Sequence, residues 1–345
     1  MTFDSWAMVI TFVIAFHALL FHAMPRFSRP DILFAVTVPD AFVAGGGRTL
    51  ISRYRAIVWT GAAAAVALSV LLSAPSGSEQ RGWLMMAVVA GNLIVGLSAW
   101  LWAHRQARTH ALPHGDTRVA SLVPRDTSLP GGALFAGGPF AILLTAAVLL
   151  YAYSDRIPEG GRETSAFGWL AFGALCAAMT LTLAVSLSRR TRQIAVDGMA
   201  AAAEQRFRRM NVLMLVLVGY GMAIMISAVT LEKVPAFGDV LSGRLGFMLL
   251  PLMLFNFGIA IWMFRVGQGG QRTVDPSERQ KARGDATPDH AWKVGGLFYF
   301  NRSDPAIWVE NRLGFGYTLN MGHSGAWLLM GMMFLPMLAA TLFLF

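Results

Sequence analysis

Eight apolar stretches of bilayer length run through this chain, at 6–21, 56–73, 83–103, 133–153, 167–188, 211–230, 245–264 and 326–345, and none contains Asp, Glu, Lys or Arg. A helix needs about 20 apolar residues to cross the hydrocarbon core, and a charge at its centre costs about 3 kcal/mol. The pattern predicts an all-α polytopic membrane protein with about eight transmembrane helices. Ion-coupled pumps usually keep an acidic residue at membrane depth, so these charge-free spans argue against ion coupling.

Charge distribution extends the reading. The 28 Lys and Arg outnumber the 19 Asp and Glu, for a net charge of +9, which in a soluble protein would suggest nucleic acid. Here 55% of residues are hydrophobic and 14% charged. The connections after the first, third, fifth and seventh spans hold 23 of the 28 cations, and those after the second, fourth and sixth hold 5. Cytoplasmic loops retain Lys and Arg because translocating them is unfavourable. Both termini are therefore expected outside the bacterial inner membrane, with no nucleic-acid partner. Asp4 precedes the first apolar run while Arg26 and Arg29 follow it, an order expected of an uncleaved span and not of a signal peptide.

Few residues within the spans carry polar chemistry. His17, Asn92 and Asn256 are the intramembrane candidates, His17 because an ionisable group at depth is a functional hypothesis by default. The simpler expectation is that each bonds a neighbouring helix. Gly61 with Ala65, Gly132 with Ala136, and Gly173 with Ala177 have the spacing that lets helix backbones approach. Gly137-Gly138-Pro139 interrupts the fourth span near its start, and Pro251 and Pro336 fall within later ones. Each predicts a kink whose freed carbonyl finds a partner on a neighbour, or else a broken helix that builds a midplane site. The lone Cys176 allows no internal disulfide.

Of the cytoplasmic connections, 104–130 holds His104, His110 and His114 without a frame for a metal, and is expected to be a solvated loop. The 189–210 connection is expected to prolong two spans as helices meeting near Asp197-Gly198. Its basic clusters (Arg189, Arg190, Arg192; Arg206, Arg208, Arg209) are expected at anionic lipid head groups. Gly45-Gly46-Gly47 reads as a flexible loop, since no Lys-Ser/Thr follows to make a phosphate cradle.

The domain expectation is spans 1–7 with their loops over 1–265, a flexible linker over 266–289, a small β-rich module over 290–323, and the last span over 324–345. Within the module, 297–300, 307–309 and 315–319 have strand composition, and 301–305 has turn chemistry. The order Trp292-Lys293-x-Gly295, Phe298-Tyr299-x-Asn301, Asp304-Pro305-x-x-x-Val309, Arg312-x-Gly314-x-Gly316 and Thr318-Leu319-Asn320 resembles an uncharacterised C-terminal domain of bacterial multi-pass membrane proteins. That resemblance implies a setting and no reaction. Phe34 to Pro39, followed by Arg53-Tyr54-Arg55, is similar to a loop in relatives of a bacterial toxin-immunity and signal-transducing membrane family. Those relatives usually have a basic residue near Thr37 and fewer glycines than Gly45-Gly46-Gly47.

No phosphate loop, nucleophile elbow, His-Glu-x-x-His or paired-carboxylate motif occurs, so neither catalytic residues nor cofactors are assigned. The leading functional expectation is a non-enzymatic sensing, regulatory or immunity-type protein. A permease for a neutral or lipid-like solute, or a membrane enzyme with a cytoplasmic site, are the alternatives. Candidate ligand or partner contacts are Trp292, Lys293, Asn301, Asp304, Arg312 and Asn320. On a ligand reading, Lys293 and Arg312 hold an anionic head group or protein partner, with Asp304 orienting one of them. The blander expectation is that the same residues shape turns and a miniature core.

Overall fold

The computed structural model describes residues 3–72, 78–112, 126–157, 163–190, 198–241, 244–275, 277 and 285–344. The expected loop position His114, Arg192 of the basic cluster, and Asp197 at the helix junction lie outside the described residues. The helices are α1 (Phe3–Ala23), α2 (Asp40–Ala44), α3 (Gly46–Leu71), α4 (Ser78–Arg108), α5 (Gly132–Ala152), α6 (Glu163–Ser188), α7 (Gly198–Leu231), α8 (Pro235–Leu241), α9 (Leu245–Val266) and α10 (Ser324–Leu344). Among the described residues six are long and apolar enough to cross a membrane: α3, α4, α5, α6, α7 and α9. The apolar parts of α1 and α10, Ile10–Arg26 and Ser324–Pro336, are shorter. Only 17% to 44% of each spanning window is buried inside the protein. Apolar helices that leave most of their surface uncovered are those of an integral membrane protein, whose solvent is lipid.

The chain forms two compact units. One comprises Met1–Val119, Arg279–Phe300 and Glu310–Thr318, the other Ala120–Glu278, Asn301–Val309 and Leu319–Phe345. The stretch 290–323 thus contributes to both.

In the first unit α1, α3 and α4 share a core that includes Ile14, Ala18 and Phe21, then Tyr54 and Val58, then Val88, Ala99 and Trp100. Gly61 permits the α3–α4 approach, since a Cβ there would lie 2.6 Å from Val95 Cγ1. Tyr54 donates its hydroxyl to the Phe21 carbonyl (2.8 Å), closing the end of α1. Beyond α1 the chain makes an antiparallel hairpin of β1 (Ile32–Leu33) and β2 (Val36–Thr37). Its two turn residues, Phe34 and Ala35, have φ of 48° and 64°. Tight hairpin turns of this hand favour Asn-Gly because side chains resist positive φ. Packing explains the exception. Phe34 is fully buried, with its ring edge-on to Tyr54 (5.1 Å) and Trp100 (5.2 Å). The glycines at 45–47 are not a free loop: Gly46 begins α3, and a Cβ on Gly47 would meet the Phe42 carbonyl at 2.9 Å.

In the second unit, Leu143, Ala146 and Leu150 of α5, Leu170 and Ala177 of α6, and Ala223 and Ile226 of α7 form the core. Gly173 sits where a Cβ would press on Leu143 and Ile226. Gly132, by contrast, meets nothing there and begins α5 instead of packing a face. The Gly-Gly-Pro interruption leaves α5 continuous. Pro139 lacks the N–H that would bond the carbonyl four residues earlier, that of Phe135. Tyr220 on α7 donates its hydroxyl to that carbonyl (2.7 Å). Gly138 is required for this approach, because a Cβ would overlap the Tyr220 hydroxyl.

The C-terminal strands are β3 (Trp292–Lys293), β4 (Phe298–Tyr299), β5 (Trp308–Glu310) and β6 (Tyr317–Leu319), with β3 antiparallel to β4 and β5 paired with β6. Three fall where strand composition predicts them, and β3 lies upstream of that reading. Of the stretch expected as linker, Gln268–Thr273 is a 3-10 turn whose Gln268 and Gln271 are buried, and Gly270 rests against Ala203 of α7. Residues 276 and 278–284 of that stretch lie outside the described residues.

The Tyr220 bond predicts a stability effect. Tyr220→Phe should cost about 1 kcal/mol by leaving the Phe135 carbonyl without a donor. Gly138→Ala should cost more, because it also displaces the ring. Thermal unfolding of the detergent-purified protein checks both, and an unchanged midpoint in Gly138→Ala would refute the close approach.

Candidate functional site

The polar residues of the first unit converge on Arg312. Its side chain is 1% exposed, so each of its five N–H groups must find a partner inside the protein. Nε donates to Asp285 Oδ2 (2.6 Å) and Nη2 to Asp285 Oδ1 (2.8 Å), a bidentate pair. Nη2 also donates to the Thr287 carbonyl (2.8 Å), while Nη1 donates to the Ala35 carbonyl (2.8 Å) and to Asp289 Oδ1 (2.5 Å). The guanidinium lies over the Trp292 ring at 5.2 Å. Trp292 is buried, donates its indole N–H to Thr287 Oγ1 (2.8 Å), and stacks at a tilt on Tyr299.

A second buried pair adjoins the first. Arg29 donates from Nε to Glu310 Oε2 (2.7 Å) and from Nη2 to Glu310 Oε1 (2.9 Å). Ser28 donates its hydroxyl to the Arg312 carbonyl (2.6 Å). Thr37 donates its backbone N–H and its hydroxyl to the Asp289 carboxylate. From α4, Trp100 donates its indole N–H to the Gly295 carbonyl (2.8 Å), and His104 holds the Phe34 carbonyl through Nδ1 (2.8 Å). The loop after α1, the end of α4, and residues 285–318 of this unit are thereby one hydrogen-bonded junction. The two segments that carry family resemblances meet in it.

Geometry accounts for the Gly295-Gly296 pair. Both have positive φ (64° and 91°). A Cβ on Gly295 would run into Leu101, and one on Gly296 would overlap Ala35.

Electrostatics hold the junction in its charged form. Burial alone would raise the Asp285 carboxyl, but the Arg312 charge, its hydrogen bonds and the two donors of Thr287 outweigh that and keep it below the usual range. Burial likewise opposes charge on Arg312, and Asp285 and Asp289 more than compensate, raising its pKa further. The bidentate grip expected of Arg312 is therefore made on Asp285. Of the two cations considered for a ligand, Lys293 alone is solvent-exposed, donating from Nζ to the His290 carbonyl (3.0 Å).

Asn301, Asp304 and Asn320 form a separate set in the second unit. Asn320 is wholly buried. Its Nδ2 donates to the carbonyls of Asn301, Asp304 and Ala306, and its Oδ1 accepts from the N–H groups of Asn301 and Gly322. Asp304 is buried and caps the turn by accepting from the Ala306 N–H (3.0 Å). Trp308 donates to Ser186 Oγ on α6 (2.8 Å), and Arg190 donates to the Trp308 carbonyl (3.2 Å) and to Glu204 (3.3 Å). Within the 189–210 clusters Arg190 and Arg208 are buried, whereas Arg189, Arg206 and Arg209 are exposed.

Residues 302–327 match a family of unknown function, DUF5808. The match covers the Asn320 turn, Trp308 and Arg312, so it describes residues from both units. No curated protein and no solved structure matches the chain.

The intramembrane candidates do not gather at this junction. Asn92 is buried on α4. Asn256 bonds its own helix, Nδ2 to the Leu252 carbonyl (2.9 Å). His17 Nδ1 is buried with no hydrogen-bond partner among the described residues. Among the described residues no group of three or more His, Cys, Asp or Glu side chains is placed to hold a metal ion. Sequence reasoning missed Arg29, Asp285, Asp289 and Glu310: Arg29 and Glu310 pair across 281 residues, and Asp285 and Asp289 lie within the stretch expected as linker, 27 and 23 residues before Arg312. Their only local signal was a carboxylate or arginine beside turn residues.

Removing Arg312 strands two buried or half-buried carboxylates, and breaking such a pair costs about 3–5 kcal/mol. Arg312→Ala should accordingly lower the unfolding midpoint far more than loss of an exposed arginine such as Arg206. The pH dependence follows from Asp285. A carboxyl held below its unfolded pKa of about 3.9 stabilises the fold above that value, and the contribution disappears as pH falls through the lower folded pKa. The stability gap between the native protein and Asp285→Asn should be widest near neutral pH and close below about pH 4. A gap that stays constant from about pH 7 to pH 3 would refute an ionised Asp285.

Proposed function

We propose that this chain is a bacterial inner-membrane protein of eight spans with both termini outside, acting as a non-enzymatic sensor or regulator of the immunity type. Charge-free spans argue against ion coupling, and the 23 of 28 cations in odd-numbered connections support the orientation. The observation that carries the regulatory reading is the Arg312 junction. Its arginines and carboxylates are spent on one another, joining the first connection to the C-terminal segment. A catalytic site needs polar groups left available for substrate. A signalling element needs two segments whose relation a partner can change. Exposed Arg189, Arg206 and Arg209 supply contacts for anionic lipid head groups, and the exposed face around Lys293 supplies the surface for a protein partner or the membrane itself.

Two measurements test the proposal. Alkaline phosphatase fused after Tyr153 or at Phe345 should be active, and activity from a cytoplasmic reporter at Phe345 would overturn the orientation. In cells lacking the gene, envelope-stress transcription should change. The native gene should restore it and Arg312→Ala should not. Gradient-driven solute uptake by vesicles carrying the purified protein would replace the regulatory reading with a permease.

A further inference from the structure

The β3–β4 hairpin carries apolar side chains that stand partly exposed among the described residues. Cross-strand register pairs Trp292 with Tyr299 and Lys293 with Phe298. Side chains alternate across a strand, so Trp292 and Tyr299 turn inward, Trp292 beneath the Arg312 guanidinium, while Lys293 and Phe298 turn outward together. Val294, Leu297, Phe298 and Phe300 are each between 40% and 60% exposed. Four large apolar residues within seven positions form a patch, and their surroundings indicate what covers it.

The first indication is depth. Gly295, at the tip, is bonded through its carbonyl to Trp100 and lies against Leu101. Trp100 precedes the end of α4 at Arg108 by eight residues, about 12 Å along a helix. Arg105 is the first cation after the apolar run, and Leu97, one turn before Trp100, is exposed as a lipid-facing residue would be. The tip therefore sits where the apolar part of a span gives way to its charged end, the level at which membrane proteins place amphipathic side chains.

The second indication is backbone conformation. Val294 has φ of 49°, which a β-branched residue adopts only under strain. Glycine would adopt it freely, as the next two residues do. A strained valine that points into water loses on both counts, whereas in lipid its side chain is buried. Lys293 completes the arrangement: its ammonium bonds the His290 carbonyl, and its aliphatic stem lies beside Phe298, as in a snorkelling lysine at a membrane surface.

We propose that the tip of this hairpin, residues 293–300, inserts into the interfacial layer of the bilayer, with Val294, Leu297, Phe298 and Phe300 among the acyl chains and Lys293 at anionic head groups. This rests on the reading that the chain spans the membrane with the hairpin on the cytoplasmic side. Insertion anchors the Arg312 junction to the leaflet surface, so a change in lipid composition or packing reaches the junction through Trp292 and Tyr299.

The test uses the full chain with Cys176→Ala and one introduced cysteine, Phe298→Cys, carrying an environment-sensitive fluorophore. The protein is reconstituted in vesicles of phosphatidylethanolamine and phosphatidylglycerol. Lipids spin-labelled near the head group should quench position 298 at least threefold more than lipids labelled deep in the acyl chain, and aqueous iodide should quench it little. Leu97→Cys serves as the span control and Phe300→Cys as a second tip position should Phe298→Cys fold poorly. Iodide quenching at both tip positions, with lipid quenching at 97, overturns insertion and leaves the membrane reading standing. Iodide quenching at 97 as well overturns the membrane reading. Shielding of the tip only after cytosolic protein is added assigns the patch to a protein partner and overturns insertion.

Discussion

A guanidinium sealed from solvent must satisfy every N–H or destabilise the fold, and Arg312 does so by drawing two separated stretches of chain to itself. Asp285 and Asp289 supply charge, Ala35 and Thr287 supply carbonyls, and Trp292 supplies a ring face. Taking these charges out of water is costly, and their mutual attraction offsets it only in this geometry. The junction is consequently all or none. It helps specify where residues 285–300 lie against the hairpin after α1, together with the Thr37 bonds to Asp289.

Strain gathers around the same point. Phe34, Ala35, Ala286 and Val294 are the non-glycine residues with positive φ among the described residues, and all belong to the unit that holds Arg312. Residues in such conformations persist where their surroundings over-determine them, commonly at ligand clamps and switch regions. Ala35 illustrates the coupling: its carbonyl is held by Arg312 while its methyl fills the space that Gly296 leaves. A hairpin turn that would otherwise call for Asn-Gly is kept by the arginine bond on one side and aromatic packing of Phe34 on the other. The junction and the strained turn stabilise each other.

The second unit answers a different constraint, that of helices without water. Pro139 frees a carbonyl near the start of α5, and the solution is one phenol from α7 passing over Gly138. Asn320 plays a corresponding part outside the spans, its amide and carbonyl together closing a turn of three carbonyls and two N–H groups. In both cases one side chain does the work of missing backbone partners.

Period, charge and turn chemistry are local properties, so they were legible in the sequence. The apolar runs specified helices, Gly61 and Gly173 specified close packing, and 297–300, 307–309 and 315–319 specified short strands. The Asn301–Pro305 turn and the chemistry of Arg312 as a bidentate cation were legible for the same reason. What Arg312 grips was not, because attraction between charges depends on distance in space and the chain brings Asp285 and Asp289 to it only after folding. Arg29 with Glu310 shows this most plainly: 281 residues separate them, and neither position carries a pattern that marks it. Lys293 and Arg312 had equal standing as surface cations until tertiary structure buried one and exposed the other. Sequence alone determined that this chain carries helices apolar enough for lipid, since transfer free energy is a sum over local residues. Only the tertiary structure decided which charges meet, since pairing requires proximity in space between segments that local rules leave independent.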